Sequence, residues 1–158
     1  MSILDSIKQD HEHYKQTFQQ LEQQSGSMQE KQQMFNELSV DLNSHIITEE
    51  SIFYPELQRH EDTRMMAMTA QEEHNVAKSV LQELNQMSPD DDRWKAKFKV
   101  FTDLIQHHVE EEEGPIFSEA KNVLGDQKLQ SMQSEWQSMK KEYMQELQSI
   151  QEHQPQRM

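Results

Sequence analysis

Two stretches of this 158-residue chain carry the same ordered set of metal-ligand side chains. His11 is followed by His45 and Glu49; His74, His108 and Glu112 repeat the set, each 63 residues beyond its counterpart. The chain has no cysteine, so an ion held here takes nitrogen and oxygen donors, the preference of iron, manganese or zinc. Residues four apart on an α-helix share one face, about 6 Å apart along the axis. His45 with Glu49, and His108 with Glu112, can therefore point together into a helical core. The duplicated His…His-x-x-x-Glu pattern predicts a paired metal site built from both halves of the chain.

The segments that must position these residues read as helices. Leu4, Ile7, Tyr14, Phe18 and Leu21 step by three or four, and His11 fills the gap in their stripe. Ser2 is placed to cap this helix, and Gln24-Ser25-Gly26-Ser27 to end it. A second stripe runs through Phe35, Leu38, Leu42, His45, Glu49 and Ile52 and closes near His60 to Thr63. The third, from about Arg64 to Met87, passes through Ala67, Ala70, His74, Ala77, Leu81 and Leu84. Ser88-Pro89-Asp90-Asp91 reads as the next helix start, with a serine cap and proline in the first turn. The fourth helix continues through Trp94, Phe98, Phe101, Ile105, His108, Glu112 and Ile116.

The offset of 63 extends to apolar positions: Phe35 pairs with Phe98, Leu42 with Ile105, Tyr54 with Phe117. Two similar hairpins predict an all-α, up-down-up-down four-helix bundle over residues 1–123. Residues 124–158 form an additional C-terminal amphipathic helix and a polar tail from His153. Its stripe, Leu129, Met132, Trp136, Met139, Tyr143, Leu147 and Ile150, must be buried across the bundle or against another subunit as a homodimer.

In antiparallel hairpins of this length all six side chains fall at one depth. An ionised glutamate buried alone costs several kcal/mol unless it is paired or metal-bound. Two metal ions supply the compensating charge, with Glu49 and Glu112 as bridges, and leave room for a bridging oxo or hydroxo group and an open position. A lone histidine on an apolar stripe is an ordinary core residue; four of them with two glutamates at one level are a metal centre. His13 and His107 lie off the stripes, and His60 and His153 read as exposed. Glu50 and Glu113 are placed to hydrogen-bond a ligand imidazole. Tyr14 faces the core as packing. Pro55 and Pro115 predict a kink or a helix end just past the metal level.

On these motifs the chain resembles the hemerythrin-like, HHE cation-binding family. The matching segments are Asp10-His11, His45-Ile-Ile-Thr-Glu49-Glu50 with Phe53-Tyr54-Pro55, Glu73-His74, and His108-Val-Glu-Glu-Glu112-Glu113 with Ile116-Phe117. The resemblance implies a non-haem di-iron centre, two iron ions held by His11, His45, Glu49, His74, His108 and Glu112 with an oxo or hydroxo bridge. It implies O2 binding, nitric oxide or peroxide chemistry, or iron and oxygen sensing. Oxygen-carrying members have a second histidine on the third helix, where this chain has Ala70 and Lys78 four residues either side of His74. They also end in His-x-x-x-x-Asp rather than His108-x-x-x-Glu112. The expected site is poorer in imidazole and more open, suited to reacting with a peroxide or small diatomic ligand rather than storing O2. A non-catalytic sensor, carrier or store is the alternative.

Composition agrees with this class. A net charge of −14, from 29 acidic and 15 basic residues, argues against nucleic acid or an anionic membrane as partner. No apolar run approaches the roughly 20 residues of a membrane span, and residues 1–10 carry no basic segment followed by an apolar one. A cytoplasmic protein is expected.

Overall fold

The computed structural model describes residues 1–23 and 26–152. Helix α1 (Ile3–Glu22) is followed by α2 (Met28–Thr48), a π-helical turn (Glu49–Phe53) and the short α3 (Tyr54–Gln58). Then come α4 (Glu61–Asn85), α5 (Asp92–Glu111), a second π-helical turn (Glu112–Ile116) and α6 (Phe117–Glu152). No described residue lies in a strand, so the fold is the predicted helical bundle with one further helix.

Local chemistry sets the helix starts. Ser2 accepts from the Leu4 amide while Asp5 reaches back to the Ser2 amide, and Ser27 and Glu30 form the same reciprocal box for α2. The corner before α4 is closed by Thr63, whose hydroxyl donates to the Leu57 carbonyl at 2.6 Å. Helix α5 departs from expectation. Its cap is Asp91, accepting from the Arg93 amide at 2.8 Å; Ser88 instead accepts from the Asp90 amide and closes the preceding turn. The expected end of α1 at residues 24 and 25, and the polar tail from His153, lie outside the described residues.

The prolines neither end nor simply kink their helices. Each accompanies a π-turn, in which the Tyr54 amide bonds to the Glu49 carbonyl and the Phe117 amide to the Glu112 carbonyl, five residues back. Pro115 lies inside its turn and Pro55 just after its own, so the missing N–H falls where the i−4 ladder is already interrupted. Both turns begin at a candidate ligand, Glu49 or Glu112, and they are themselves offset by 63 residues. The duplication is thus built into the backbone.

The core has two parts. One gathers Ile3, Ile7, Phe53, Leu57, Ala70 and Phe117, with Leu129, Met132 and Trp136 of α6. The other gathers Phe18, Phe35, Leu42, Leu81, Trp94 and Phe101. On every bundle helix the candidate ligands fall between the two parts, so apolar packing above and below fixes their depth. Helix α6 breaks at Gly125, whose φ of 78° and ψ of 161° suit glycine alone. Beyond the break it packs along α1 and α2 of its own bundle, with Leu129, Met132 and Trp136 buried. Of the two expected ways to bury its stripe, these three residues use the bundle. No described helix is long and apolar enough to cross a membrane.

Candidate metal centre

All six candidate ligands are buried and meet. Glu49 and Glu112, at the starts of the π-turns, are completely inaccessible. Glu49 Oε1 lies 2.9 Å from His45 Nε2 and 3.4 Å from His74 Nε2. Glu112 Oε1 lies 3.2 Å from His11 Nε2, and its Oε2 lies 3.4 Å from His108 Nε2. His74 Nε2 and His108 Nε2 are 3.2 Å apart. Two donor sets able to hold an ion result: His11, His45, Glu49 and Glu112, and next to it Glu49, His74 and His108.

Every imidazole is held from behind. Nδ1 of His11 meets Glu113 at 2.7 Å, and Nδ1 of His45 meets Asp10 at 2.8 Å. Nδ1 of His74 meets Glu50 at 3.1 Å, and Nδ1 of His108 meets Glu73 at 2.9 Å. The pattern repeats by 63: Asp10 and Glu73 serve the second histidine of their halves, Glu50 and Glu113 the first histidine of the other half. A carboxylate on Nδ1 fixes that nitrogen as the N–H and turns the Nε2 lone pair inward, the tautomer a metal ligand needs.

The inner arrangement is incomplete without cations. A neutral imidazole so held presents a lone pair to a carboxylate lone pair, which repels unless a positive charge lies between. Although Glu49 sits at ion-pair distance from two imidazoles, neither of its oxygens receives a hydrogen bond from the described residues, nor does Glu112 Oε1. Six carboxylates (Asp10, Glu49, Glu50, Glu73, Glu112, Glu113) surround the four imidazoles. Among the described residues only two ammonium groups reach them, Lys140 to Asp10 at 2.9 Å and Lys78 to Glu50 at 3.2 Å. Buried orphan oxygens, inward lone pairs and excess negative charge fit a pair of divalent cations.

Without metal, protons take that place. Burial works to lower the His45 pKa, but the adjacent Glu49 carboxylate and the hydrogen bond to Asp10 raise it to about 9. His11 and His108 move the same way against burial, raised by Glu112 together with Glu113 or Glu73. Glu112 is held well below the usual carboxylate range: burial opposes this, and His108 and His11 overcome it. Glu50 is brought to about 2, against burial, by hydrogen bonds from His74, Gln71 and Lys78. The His108 hydrogen bond lowers Glu73.

One residue breaks the symmetry. The Tyr54 hydroxyl donates to Glu112 Oε2 at 2.6 Å and lies 3.2 Å from both His74 Nε2 and His108 Nε2. It therefore faces the three-donor set, where the first set has a second carboxylate. Burial, with the Glu112 and Glu49 charges, raises its pKa well above 10, so the phenol keeps its proton. The sequence shows Tyr54 as the counterpart of Phe117 and within the Phe53-Tyr54-Pro55 segment, with no role at the centre; the hydroxyl present in one half and missing from the other is the available signal. Tyr14 packs its ring edge-on against His45 and donates to Asp41 at 2.9 Å, away from the inner carboxylates. His13 and His107 are exposed, and His60 is half-buried rather than exposed. Trp136 of α6 packs edge-on against His45, and Lys140 bridges Asp10 and Asp41, so α6 covers one side of the centre.

A helical bundle with a duplicated, carboxylate-backed His/Glu cluster defines a class of metal-binding protein. The chain belongs to the hemerythrin HHE cation-binding family: residues 2–120 match the Hemerythrin HHE cation binding domain. The crystal structure of a hemerythrin HHE cation-binding domain-containing protein from Mycobacterium kansasii is similar in fold. It has a TM-score of 0.79 and 19% identity, with 92% of this chain and 89% of that one covered. A curated relative from Nostoc sp., described as a DNA nickase, is 27% identical over 150 residues. The match takes in 93% of this chain and 41% of that protein, so this chain spans about two fifths of its relative's length.

Proposed function

We propose that this chain is a cytoplasmic, non-haem di-iron protein that binds and reacts with small oxidants, peroxide, nitric oxide or O2, in protection against oxidative or nitrosative stress. The observation that carries this reading is the set of four inward Nε2 lone pairs around two buried glutamates, three of whose four oxygens lack a donor among the described residues. His11, His45, Glu49 and Glu112 would hold one iron, and Glu49, His74 and His108 the other, with Glu49 shared. When bound, such ions supply a centre that binds small ligands and exchanges electrons with them.

The chain's own residues supply the rest. Asp10, Glu50, Glu73 and Glu113 keep the imidazoles in one tautomer. Apolar packing on both sides excludes bulk water and restricts access to small molecules. Tyr54 holds a proton at its hydroxyl beside Glu112, within reach of a ligand at the three-donor position. Four imidazoles rather than the larger set of an oxygen carrier support reactivity over storage.

A second reading, a sensor or store, is supported by one contact path. His45 is tied through Asp10 to Lys140 on α6, so the state of the centre bears directly on how α6 is held. The nickase activity named for the Nostoc relative is not carried over to this chain, whose net charge of −14 disfavours phosphate binding. Steady-state consumption of hydrogen peroxide and of nitric oxide by the iron-loaded protein tests the proposal. Multiple turnovers abolished in Glu49→Ala support it; no turnover, with redox-dependent change in α6 protection from proteolysis, supports the sensor.

A further inference from the structure

The repeat gives the bundle two equivalent grooves, and α6 fills one. In the filled groove, between α1 and α2, Ile3, Ser6, Ser44 and Phe53 are buried, and Asp10 carries Lys140. Their counterparts 63 residues on, Met66, Thr69, His107 and Ile116, line an open groove between α4 and α5 together with Glu73 and Glu111. Its cavity is about 340 Å³. Glu73 there is met by no ammonium group among the described residues; its outer oxygen has only His107, at 3.8 Å.

Apolar exposure extends from this groove along α4 and α5: Met65 lines it, and Val76, Val100 and Leu104 follow its Glu73 and His107 at helical spacing. Among the described residues the large hydrophobic side chains left exposed within α4 and α5 are Met65 (69%), Met68 (47%), Val76 (52%), Val100 (54%) and Leu104 (36%). Val76 and Leu104 stand where the filled half has His13 and Asp41, the polar pair beside Lys140. The open half has therefore exchanged polar residues for apolar ones on a face that water covers. A solvated helix face gains nothing from such residues, whereas a helix-binding groove does.

We propose that the α4/α5 groove docks an amphipathic helix of a partner protein, with a lysine or arginine placed to meet Glu73 as Lys140 meets Asp10. Charge selects this occupant over a second copy. A face bearing Glu73 and Glu111, on a chain of net charge −14, repels itself and attracts a basic helix. Docking would cover the Glu73–His108 side of the centre as α6 covers the Asp10–His45 side.

The test uses the full chain and a labelled peptide of residues 126–152, the helix the equivalent groove already accepts, made basic by Glu135→Lys, Glu142→Lys and Glu146→Lys at exposed positions and read by fluorescence anisotropy. Saturable one-to-one binding is expected, weakened by at least about tenfold when Val100→Lys and Leu104→Lys are combined in the full chain, or when Lys140→Glu is made in the peptide. Both receptor positions are exposed, so the fold is retained, which circular dichroism checks. Absence of saturable binding overturns the proposal. Binding unchanged by the receptor substitutions overturns it too, because the peptide is then exchanging with resident α6. Sedimentation that shows a dimer dispersed by Leu104→Lys would make the face a self-association surface, and the partner-helix reading fails.

Discussion

The metal-free and metal-loaded proteins should respond to pH with opposite slopes. In the folded, metal-free chain His45 is raised to about 9, from an ordinary 6.5, chiefly by Glu49 and Asp10 acting against burial. A base whose folded pKa lies above its unfolded value stabilises the fold fully below the unfolded pKa. That contribution is lost as pH rises through the folded one. The two values differ by about 2.5 units, worth about 3 kcal/mol, which disappears between about pH 6.5 and pH 9. His11 and His108 are raised as well and add to the fall. Loading with metal reverses the sign over the same window, because ions displace these protons and bind more tightly as pH rises. Urea unfolding followed by circular dichroism, at intervals from pH 6 to pH 9.5, with chelator or with excess Fe(II) under anaerobic conditions, reads both slopes. A metal-free stability that is flat or rising between pH 6.5 and pH 9 would refute the electrostatic account of the centre.

Other perturbations probe single contacts. Tyr54→Phe should keep the fold, since Phe117 occupies the equivalent place, but remove the hydroxyl that donates to Glu112 Oε2 and lower metal-free stability by about 1–3 kcal/mol in urea melts. Asp10→Ala and Glu73→Ala should each weaken metal binding by about 10- to 100-fold in chelator competition, because each frees one imidazole from its tautomer. Gly125→Ala meets no atom within 4 Å, so its expected loss of about 1–3 kcal/mol, by thermal denaturation, comes from backbone strain alone.

The helices and the depth of the ligands were legible because apolar stripes and ligands share one 3.6-residue period. Leu42, His45 and Glu49 lie along a single stripe, and the offset of 63 doubles the evidence. The outer carboxylates were only half legible. Glu50 and Glu113 read as partners of a ligand imidazole, whereas Asp10 and Glu73 were given no such role; all four serve a histidine on another helix, a pairing set by helix rotation rather than sequence adjacency. Acidic residues at both 10 and 73 carried that signal. The π-turns were hidden because their prolines stand at different places, Pro55 six residues after Glu49 and Pro115 three after Glu112. Nor does the stripe of α6 tell which groove it fills; Lys140, reaching Asp10 and Asp41, decides that in three dimensions.

The central claim is that these six side chains hold two metal ions, and metal analysis with a visible spectrum tests it most directly. Protein purified from iron-replete cells should contain about two iron ions per chain and show an oxo-bridged di-iron absorption. His45→Ala should lose both the iron and the thermal stability it confers. Wild-type protein free of bound metal, with the His45→Ala variant melting at the same temperature, would contradict the account.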